Sequence, residues 1–123
     1  MNREEKFIKL ANKIAHLSEH NMRIGAVVAK GSRVLSFGIN KYKSHPQQIN
    51  PYTLNTGLIH AELNAIINCR TDITGGTIYI SRLLKNGLPA LSKPCKSCMK
   101  MISLYGIKKI VYTTEIGIEI ENI

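Results

Sequence analysis

Hydrophobic residues recur at helical spacing over the first part of the chain. Within Asn2–Ser18 they fall on one stripe, while lysine and glutamate residues fill the opposite side. The residues of this stripe are Phe7, Leu10, Ala11, Ile14 and Leu17. The pattern predicts an amphipathic helix that packs one face against the core.

Short apolar runs bounded by turn residues follow this helix and predict strands. They lie at Arg23–Ala29, Val34–Phe37, Thr77–Ser81 and Lys108–Thr113. Gly31 and Ser32 separate the first two runs, so these strands should form a hairpin. The third and fourth runs each border a predicted helix, and they can therefore pair in parallel through a crossover connection.

Two further helices are predicted, at His60–Cys69 and at Pro94–Tyr105. Pro94 suits the first helical turn, because the amide hydrogen that it lacks would have no partner there. Gly106 should end the same helix. The helix at Pro94–Tyr105 therefore has recognisable boundaries in the sequence.

The remaining segments complete a layered α/β arrangement. Lys41–Leu58 and Arg82–Lys93 are predicted loops. If Ile118–Glu121 forms a further strand, it must be antiparallel to its predecessor, because a parallel return needs about a dozen residues. The order predicts one domain over residues 1–123, an α/β fold with a central mixed sheet of about five strands and helices on its faces.

A split motif adds chemistry to this fold. His60-Ala61-Glu62 begins the second predicted helix, and Pro94-Cys95-Lys96-Ser97-Cys98 begins the third. Together they match H-x-E…P-C-x-x-C, the signature of zinc-dependent base deaminases. His60, Cys95 and Cys98 would hold one Zn²⁺ and leave its fourth position open for water, and Glu62 would act as general acid and base.

Helix geometry constrains how these side chains can meet. Cys95 and Cys98 are three positions apart, so they would share a face at a helix N-terminus, where the helix dipole and a metal favour thiolate. His60 and Glu62 would diverge by about 200° inside a helix. They can converge if His60 opens its helix. We therefore predict two helix N-termini directed at one metal.

Two other readings of the cysteines remain open. A structural zinc site would require a fourth ligand, and the candidates are His16, His20, His45 and Cys69. A redox C-x-x-C would leave the His-x-Glu half unexplained. Cys69 lies too far along its helix to join the metal easily and is expected to be an ordinary buried thiol.

Over about residues 1–113 the chain resembles the cytidine/deoxycytidylate deaminase superfamily. Besides the zinc motif, the similar segments are Ile24–Ala29, Phe37–Asn40, Gly76–Ile80 and Gly106–Tyr112. The resemblance implies a three-layer fold, a homo-oligomer, and substrate contacts by Asn40, Ala61 and Pro94, with Asn40 on the sugar. The alternative for Asn40 is a turn asparagine that closes a hairpin.

Charge points to an anionic partner. Seventeen Lys and Arg residues against 8 Asp and Glu residues give a net charge of +9, which suggests a phosphorylated or polyanionic ligand. Basic residues near the predicted site are Lys41, Lys43, His45, Arg82, Lys85, Lys93 and Lys96. Solvated surface lysine is the alternative for each of them. Aromatic residues make up only 6% of the chain, without tryptophan, so no base-stacking platform is evident.

The tail bears on the substrate. An antiparallel last strand resembles superfamily members that act on free nucleosides, whereas many polynucleotide enzymes and the cytidylate enzymes carry a helix and a parallel strand there. The basic loops favour a phosphorylated substrate. We therefore predict a zinc-dependent hydrolytic deaminase of a cytosine nucleotide or nucleoside, with a deoxycytidylate-type substrate favoured. The alternatives are a deaminase of single-stranded nucleic acid or tRNA adenine, and a non-catalytic zinc-stabilised nucleic-acid-binding module.

Metal number and compartment complete the expectations. Lys41–Ile59 lacks the additional Cys/His set that some cytidylate deaminases use for a second zinc, so one Zn²⁺ per chain is predicted. No apolar run approaches a membrane span, and Met1–Lys6 shows no secretory signal. The cysteine pattern fits a reducing cytosol. A cytoplasmic protein without a membrane partner is expected.

Overall fold

The computed structural model describes residues 2–18, 22–41 and 60–123. The loop predicted at Lys41–Leu58 therefore lies outside the described residues, except for Lys41. The helices are α1 Arg3–Ala15, α2 Ala61–Asn68 and α3 Lys96–Leu104. The strands are β1 Arg23–Lys30, β2 Arg33–Ile39, β3 Thr77–Leu83, β4 Pro89–Ala90, β5 Lys109–Thr113 and β6 Ile118–Asn122.

The strands form one mixed sheet in the order β2-β1-β3-β5-β6, and β4 pairs with β3 off this path. β1 is antiparallel to both β2 and β3, which confirms the predicted hairpin. β3 and β5 are parallel and are joined by the crossover through α3. β6 runs antiparallel to β5, as the short connection required.

Helices cover both faces of this sheet, so the predicted three-layer α/β fold is confirmed. On one face α1 packs Phe7 and Ala11 against Val27, Tyr79 and Val111. The apolar side chains of α2 and α3 pack on the other face in a second cluster. The two clusters follow from the alternation of side chains along β1, β3 and β5.

Several predicted boundaries differ from the observed ones. α1 ends at Ala15, so Leu17, predicted on its apolar stripe, lies beyond the helix and is 62% exposed. α3 begins at Lys96, and Pro94 therefore precedes the helix and does not lie in its first turn. Residues before a helix N-cap are extended, a conformation that proline adopts equally well.

The predicted loop Arg82–Lys93 contains regular structure. Its first two residues extend β3, and β4 pairs antiparallel with this extension. The amide of Leu84 donates to the carbonyl of Leu88 at 2.9 Å, and Gly87 has a φ of +84°. Asn-Gly between apolar residues is a strong hairpin signal, so the sequence reading was wrong here.

α2 approaches the sheet closely at Gly38 of β2. A Cβ built on Gly38 would lie 2.8 Å from the carbonyl oxygen of Ala61 and would also overlap the backbone of Ala65. Glycine is therefore required at this position for α2 to lie flat on the sheet. The contact fixes the distance of the first turn of α2 from β2.

Replacing Gly38 with alanine should destabilise the fold. We expect the free energy of unfolding to fall by about 1–3 kcal/mol, because the backbone of α2 must move to admit the methyl group. Chemical denaturation measures this change. Gly117→Ala is the matched control, since its Cβ would meet nothing within 4 Å. Equal stability of the two variants would contradict the close packing of α2.

The first turn of α1 and the last residue of β6 meet at the start of β5. Lys109, the first residue of β5, pairs with Asn122 of β6. Its Nζ lies 3.3 Å from a carboxylate oxygen of Glu4 in α1. Thr113, at the other end of β5, contacts Ser92 on the path to α3.

Among the described residues, no helix is both long and apolar enough to cross a bilayer.

Candidate active site

α2 and α3 begin close together, and each begins at a residue of the split motif. His60 is the N-cap of α2, with φ −69° and ψ 148°, and Cys95 is the N-cap of α3, with φ −67° and ψ 168°. Both caps are extended, so the angular rule for residues within a helix does not apply to His60 and Glu62. The predicted meeting of two helix N-termini is observed.

The three motif side chains converge on one point. His60 Nδ1 lies 3.3 Å from Cys98 Sγ, and the ligand atoms of His60, Cys95 and Cys98 all lie within 4.8 Å of one another. Tetrahedral Zn²⁺ with its usual bond lengths separates neighbouring ligand atoms by about 3.6 Å. One imidazole nitrogen and two sulfurs at this spacing fit a single zinc ion. These residues are positioned to bind it.

No fourth protein ligand joins this group within the described ranges. There, the only group of three or more His, Cys, Asp or Glu side chains that could hold a metal is His60, Cys95 and Cys98. Of the four candidates for a structural site, His16 and Cys69 are described and lie outside the group, and His20 and His45 fall outside the described residues. Cys69 is half-buried rather than fully buried, and its Sγ contacts the Thr71 carbonyl at 3.3 Å.

The two cysteines meet for a reason other than a shared helical face. Cys95 is the N-cap of α3 and Cys98 is its third helical residue. These are the two positions whose side chains approach each other in a capping box. Of the two, Cys98 is buried and Cys95 is the more accessible to solvent.

Glu62 lies in the first turn of α2 and is only 5% exposed. Burial raises the pKa of this carboxyl above its usual value, while backbone hydrogen bonding, the charge of His60 and a hydrogen bond with Cys98 oppose the shift. A carboxyl with a raised pKa can both accept and return a proton near neutral pH. Its role as acid and base stays a prediction.

The helix N-terminus alone does not make Cys98 a thiolate, and the expected thiolate therefore depends on the metal. Burial raises the pKa of the Cys98 thiol far above its ordinary value, and the neighbouring Glu62 and Cys95 raise it further. Without metal this thiol is therefore protonated at neutral pH. Zinc must displace the proton when it binds.

Zinc affinity should rise with pH for this reason. We expect proton release on binding, and a fall in affinity of about tenfold per pH unit for each proton displaced as the pH is lowered. Calorimetric titration in two buffers of different ionisation enthalpy measures the number of protons. Affinity independent of pH between 6 and 8 would contradict a protonated metal-free thiol.

Asn40 holds the open end of the β1–β2 hairpin. Its carboxamide oxygen accepts from the backbone amide of Ile24 at 3.0 Å and from the Ser18 hydroxyl at 2.7 Å. Its nitrogen donates to the Met22 carbonyl. These contacts favour the hairpin-closing reading, and a sugar contact stays a prediction. So do substrate contacts by Ala61 and Pro94, both buried beside the metal-binding N-caps.

Polar residues that the sequence analysis missed anchor the two helix starts. The Ser92 hydroxyl donates to the Ile80 carbonyl at 2.9 Å and accepts from the Thr113 amide at 2.8 Å, which ties the approach to Cys95 to β3 and β5. The Asn64 carboxamide oxygen accepts from the Ile39 amide at 2.9 Å and ties α2 to β2. The one available signal for Asn64 was a polar residue between the apolar residues Leu63 and Ala65.

Comparison with known proteins places this site in a family. The model of the cytidine and deoxycytidylate deaminase zinc-binding region matches residues 1–114. An uncharacterised deaminase from the luxG 3′ region of Aliivibrio fischeri is 26% identical, over 86% of this chain and 69% of that protein.

Solved structures agree with this match. The apo dCMP deaminase of cyanophage S-TIM5 is 27% identical, with a TM-score of 0.67 over 90% of this chain and 82% of that chain. The same enzyme with dCMP and dUMP gives a TM-score of 0.68. A diaminohydroxyphosphoribosylaminopyrimidine deaminase/5-amino-6-(5-phosphoribosylamino)uracil reductase from Thermotoga maritima is 26% identical, with a TM-score of 0.59, over 89% of this chain and 29% of that chain. With its fold, its zinc ligands and a family match over residues 1–114, the chain belongs to the cytidine and deoxycytidylate deaminases, a family of hydrolytic enzymes.

Proposed function

We propose that this protein deaminates a cytosine nucleotide, with deoxycytidylate as the favoured substrate. The reaction consumes water and gives the uracil nucleotide and ammonia. The observation that carries the proposal is a buried Glu62 beside three converging metal ligands. A structural zinc site has no use for such a carboxyl. The cyanophage enzyme, whose structure holds dCMP and dUMP, supports the choice of substrate.

In this proposal the metal ligands and Glu62 have separate roles in catalysis. Zinc held by His60, Cys95 and Cys98 would lower the pKa of a water molecule. The resulting hydroxide would attack the amine-bearing carbon of the base near neutral pH. Glu62 accepts a proton from this water and donates it to the ring nitrogen N3. The remaining water proton leaves through Glu62 with the amine, which departs as ammonia. The raised pKa of Glu62 suits a group that both takes and gives the proton.

Two observations favour other substrates. The antiparallel β6 resembles the last strand of superfamily members that act on free nucleosides. The net charge of +9 favours a polyanion such as single-stranded nucleic acid or tRNA. The proposal is therefore tested against nucleosides and polynucleotides together. A homo-oligomer, which the resemblance implies, also stays a prediction.

A substrate panel separates these possibilities. We expect ammonia release from dCMP to exceed release from deoxycytidine, adenosine and a single-stranded oligonucleotide. A mononucleotide enzyme contacts few phosphates, so its KM should depend weakly on salt. An enzyme that follows a strand should lose affinity with a slope near −0.7 per contacted phosphate in a plot of log affinity against log salt concentration.

Zinc-loaded Glu62→Gln protein, purified in parallel, is the control for contaminating deaminases. Steeply salt-sensitive deamination of an oligonucleotide without activity on free nucleotides would replace the proposal with a polynucleotide enzyme. Activity on deoxycytidine that matches or exceeds activity on dCMP would replace it with a nucleoside enzyme. Zinc-loaded protein that releases no ammonia from the panel would support the non-catalytic module.

A further inference from the structure

Arg82 lies near the carboxyl end of β3, on the face of the sheet that carries the candidate site. It pairs with Ile24 across the β1–β3 ladder, and paired residues lie on the same face of a sheet. Ile24 packs against the hydrophobic cluster beneath α2 and α3. The side chain of Arg82 therefore belongs to the face and the end of the sheet at which both helices begin.

The guanidinium of Arg82 makes few of the hydrogen bonds that its donors could form. Its Nε is buried and has no hydrogen-bond partner among the described residues. Nη1 reaches the Leu91 carbonyl only at 3.5 Å, and Nη2 contacts the thioether sulfur of Met22 at 3.3 Å. A thioether is a weak acceptor. Burying a donor without a partner is unfavourable, and native structures rarely do so without a reason.

No carboxylate compensates this charge in the described part of the chain. The ion pairs found there join Lys93 to Glu121 and Lys109 to Glu4. Residues 42–59 contain no acidic residue, and residues 19–21 contain only Glu19. A half-buried cation without a counter-ion is the expected state of a site whose anion arrives with the ligand.

The contacts of Arg82 join the two sides of the candidate site. The carbonyl of Met22 accepts from the side chain of Asn40, the proposed sugar contact. Leu91 adjoins Ser92, which anchors the segment that leads to Cys95. The guanidinium thus contacts Met22, which is hydrogen-bonded to Asn40, and Leu91, which adjoins the segment that leads to Cys95.

We propose that Arg82 binds the 5′-phosphate of the substrate, an inference that rests on the proposed nucleotide deaminase function. The planar guanidinium can offer parallel donors to phosphate oxygens, which is the geometry that arginine favours. Lys93, the basic residue closest in sequence to Cys95 on its amino-terminal side, is already paired with Glu121. In this proposal the contact with Arg82 distinguishes a nucleotide from its nucleoside.

Steady-state kinetics on a matched substrate pair tests this role. Arg82→Gln should raise the KM for dCMP about 10- to 100-fold, the effect of losing charge-assisted hydrogen bonds, with a much smaller change in kcat. The kinetics on deoxycytidine should not change. Arg33→Gln is the control, because it removes the same charge at the first residue of β2, at the end of that strand away from Asn40. Equal losses on both substrates would assign Arg82 a purely structural role and overturn the proposal.

A binding measurement separates failure of this inference from failure of the proposed function. Inorganic phosphate and dUMP should raise the melting temperature of the wild-type protein, and Arg82→Gln should abolish this protection. If dCMP is not deaminated but phosphate protection still depends on Arg82, the substrate assignment fails and the anion site remains. Protection that survives in Arg82→Gln, or that is absent from wild type, overturns the inference.

Glu19 is the remaining acidic candidate for a permanent partner. If it held Arg82 in an ion pair, Glu19→Gln would release the guanidinium, and phosphate would then bind more tightly to the variant. The inference expects the KM for dCMP to stay within about twofold of wild type in Glu19→Gln, well below the tenfold that one strong hydrogen bond represents. A larger change in either direction would show that Arg82 already has its anion.

Discussion

Glu62→Gln should lower kcat by roughly 10²- to 10⁴-fold while the protein keeps its zinc and its fold. The substitution preserves the size of the side chain and removes only its ability to carry a proton. Glu62 lies beside the metal ligands without belonging to their group, so metal content should not change. Initial rates of ammonia release and zinc analysis on the same preparation measure both quantities.

Glu5→Gln is the control for this experiment, because Glu5 is exposed on α1. Its kcat should match that of the wild-type protein. Loss of zinc from Glu62→Gln or Glu62→Ala would show that Glu62 is a ligand. Turnover close to wild type with zinc retained would show that another group carries the proton.

Cys95→Ala should release the metal, and turnover should fall to background. Removing one of three protein ligands leaves His60 and Cys98, too few to hold Zn²⁺ against chelating competition. We expect about one zinc per wild-type chain and a small fraction of that in the variant after dialysis against a chelator. Metal analysis by mass spectrometry measures the stoichiometry.

Cys69→Ala is the matched control, since it removes a thiol that lies outside the ligand group. This variant should keep its zinc and its activity. Two tightly held zinc ions per wild-type chain would contradict a single site. Loss of metal from Cys69→Ala would contradict the assignment of the ligands.

The metal ligands could be predicted because their geometry is local. Each half of the motif lies at the N-terminus of one helix, and short spacings determine where those side chains point. The sequence did not show how the ligand side chains come together. They do so because His60 and Cys95 are N-caps and lie half outside their helices. Helix boundaries depend on one or two residues, and periodicity cannot locate them so finely.

Contacts between distant segments of the chain explain the other features of the site that the sequence analysis did not predict. Nothing in the sequence around Ser92 indicates that its hydroxyl joins β3 to β5. Arg82 was one of several basic residues near the site until its burial and missing partner separated it from the surface lysines. For Asn40 the sequence left a sugar contact and a hairpin-closing role open, and the hydrogen bonds of the folded chain favour the second.

The meeting of Glu4 and Asn122 around Lys109 has a practical consequence. Lys109 begins β5, and the candidate site lies beyond the opposite end of that strand, so a fluorescent reporter attached near Glu4 or Asn122 would not shield the substrate entrance. Attachment of the protein to a sensor surface near Glu4 or Asn122 should therefore present the catalytic crevice to solution. Nucleotide binding could then be followed on immobilised molecules in one uniform orientation.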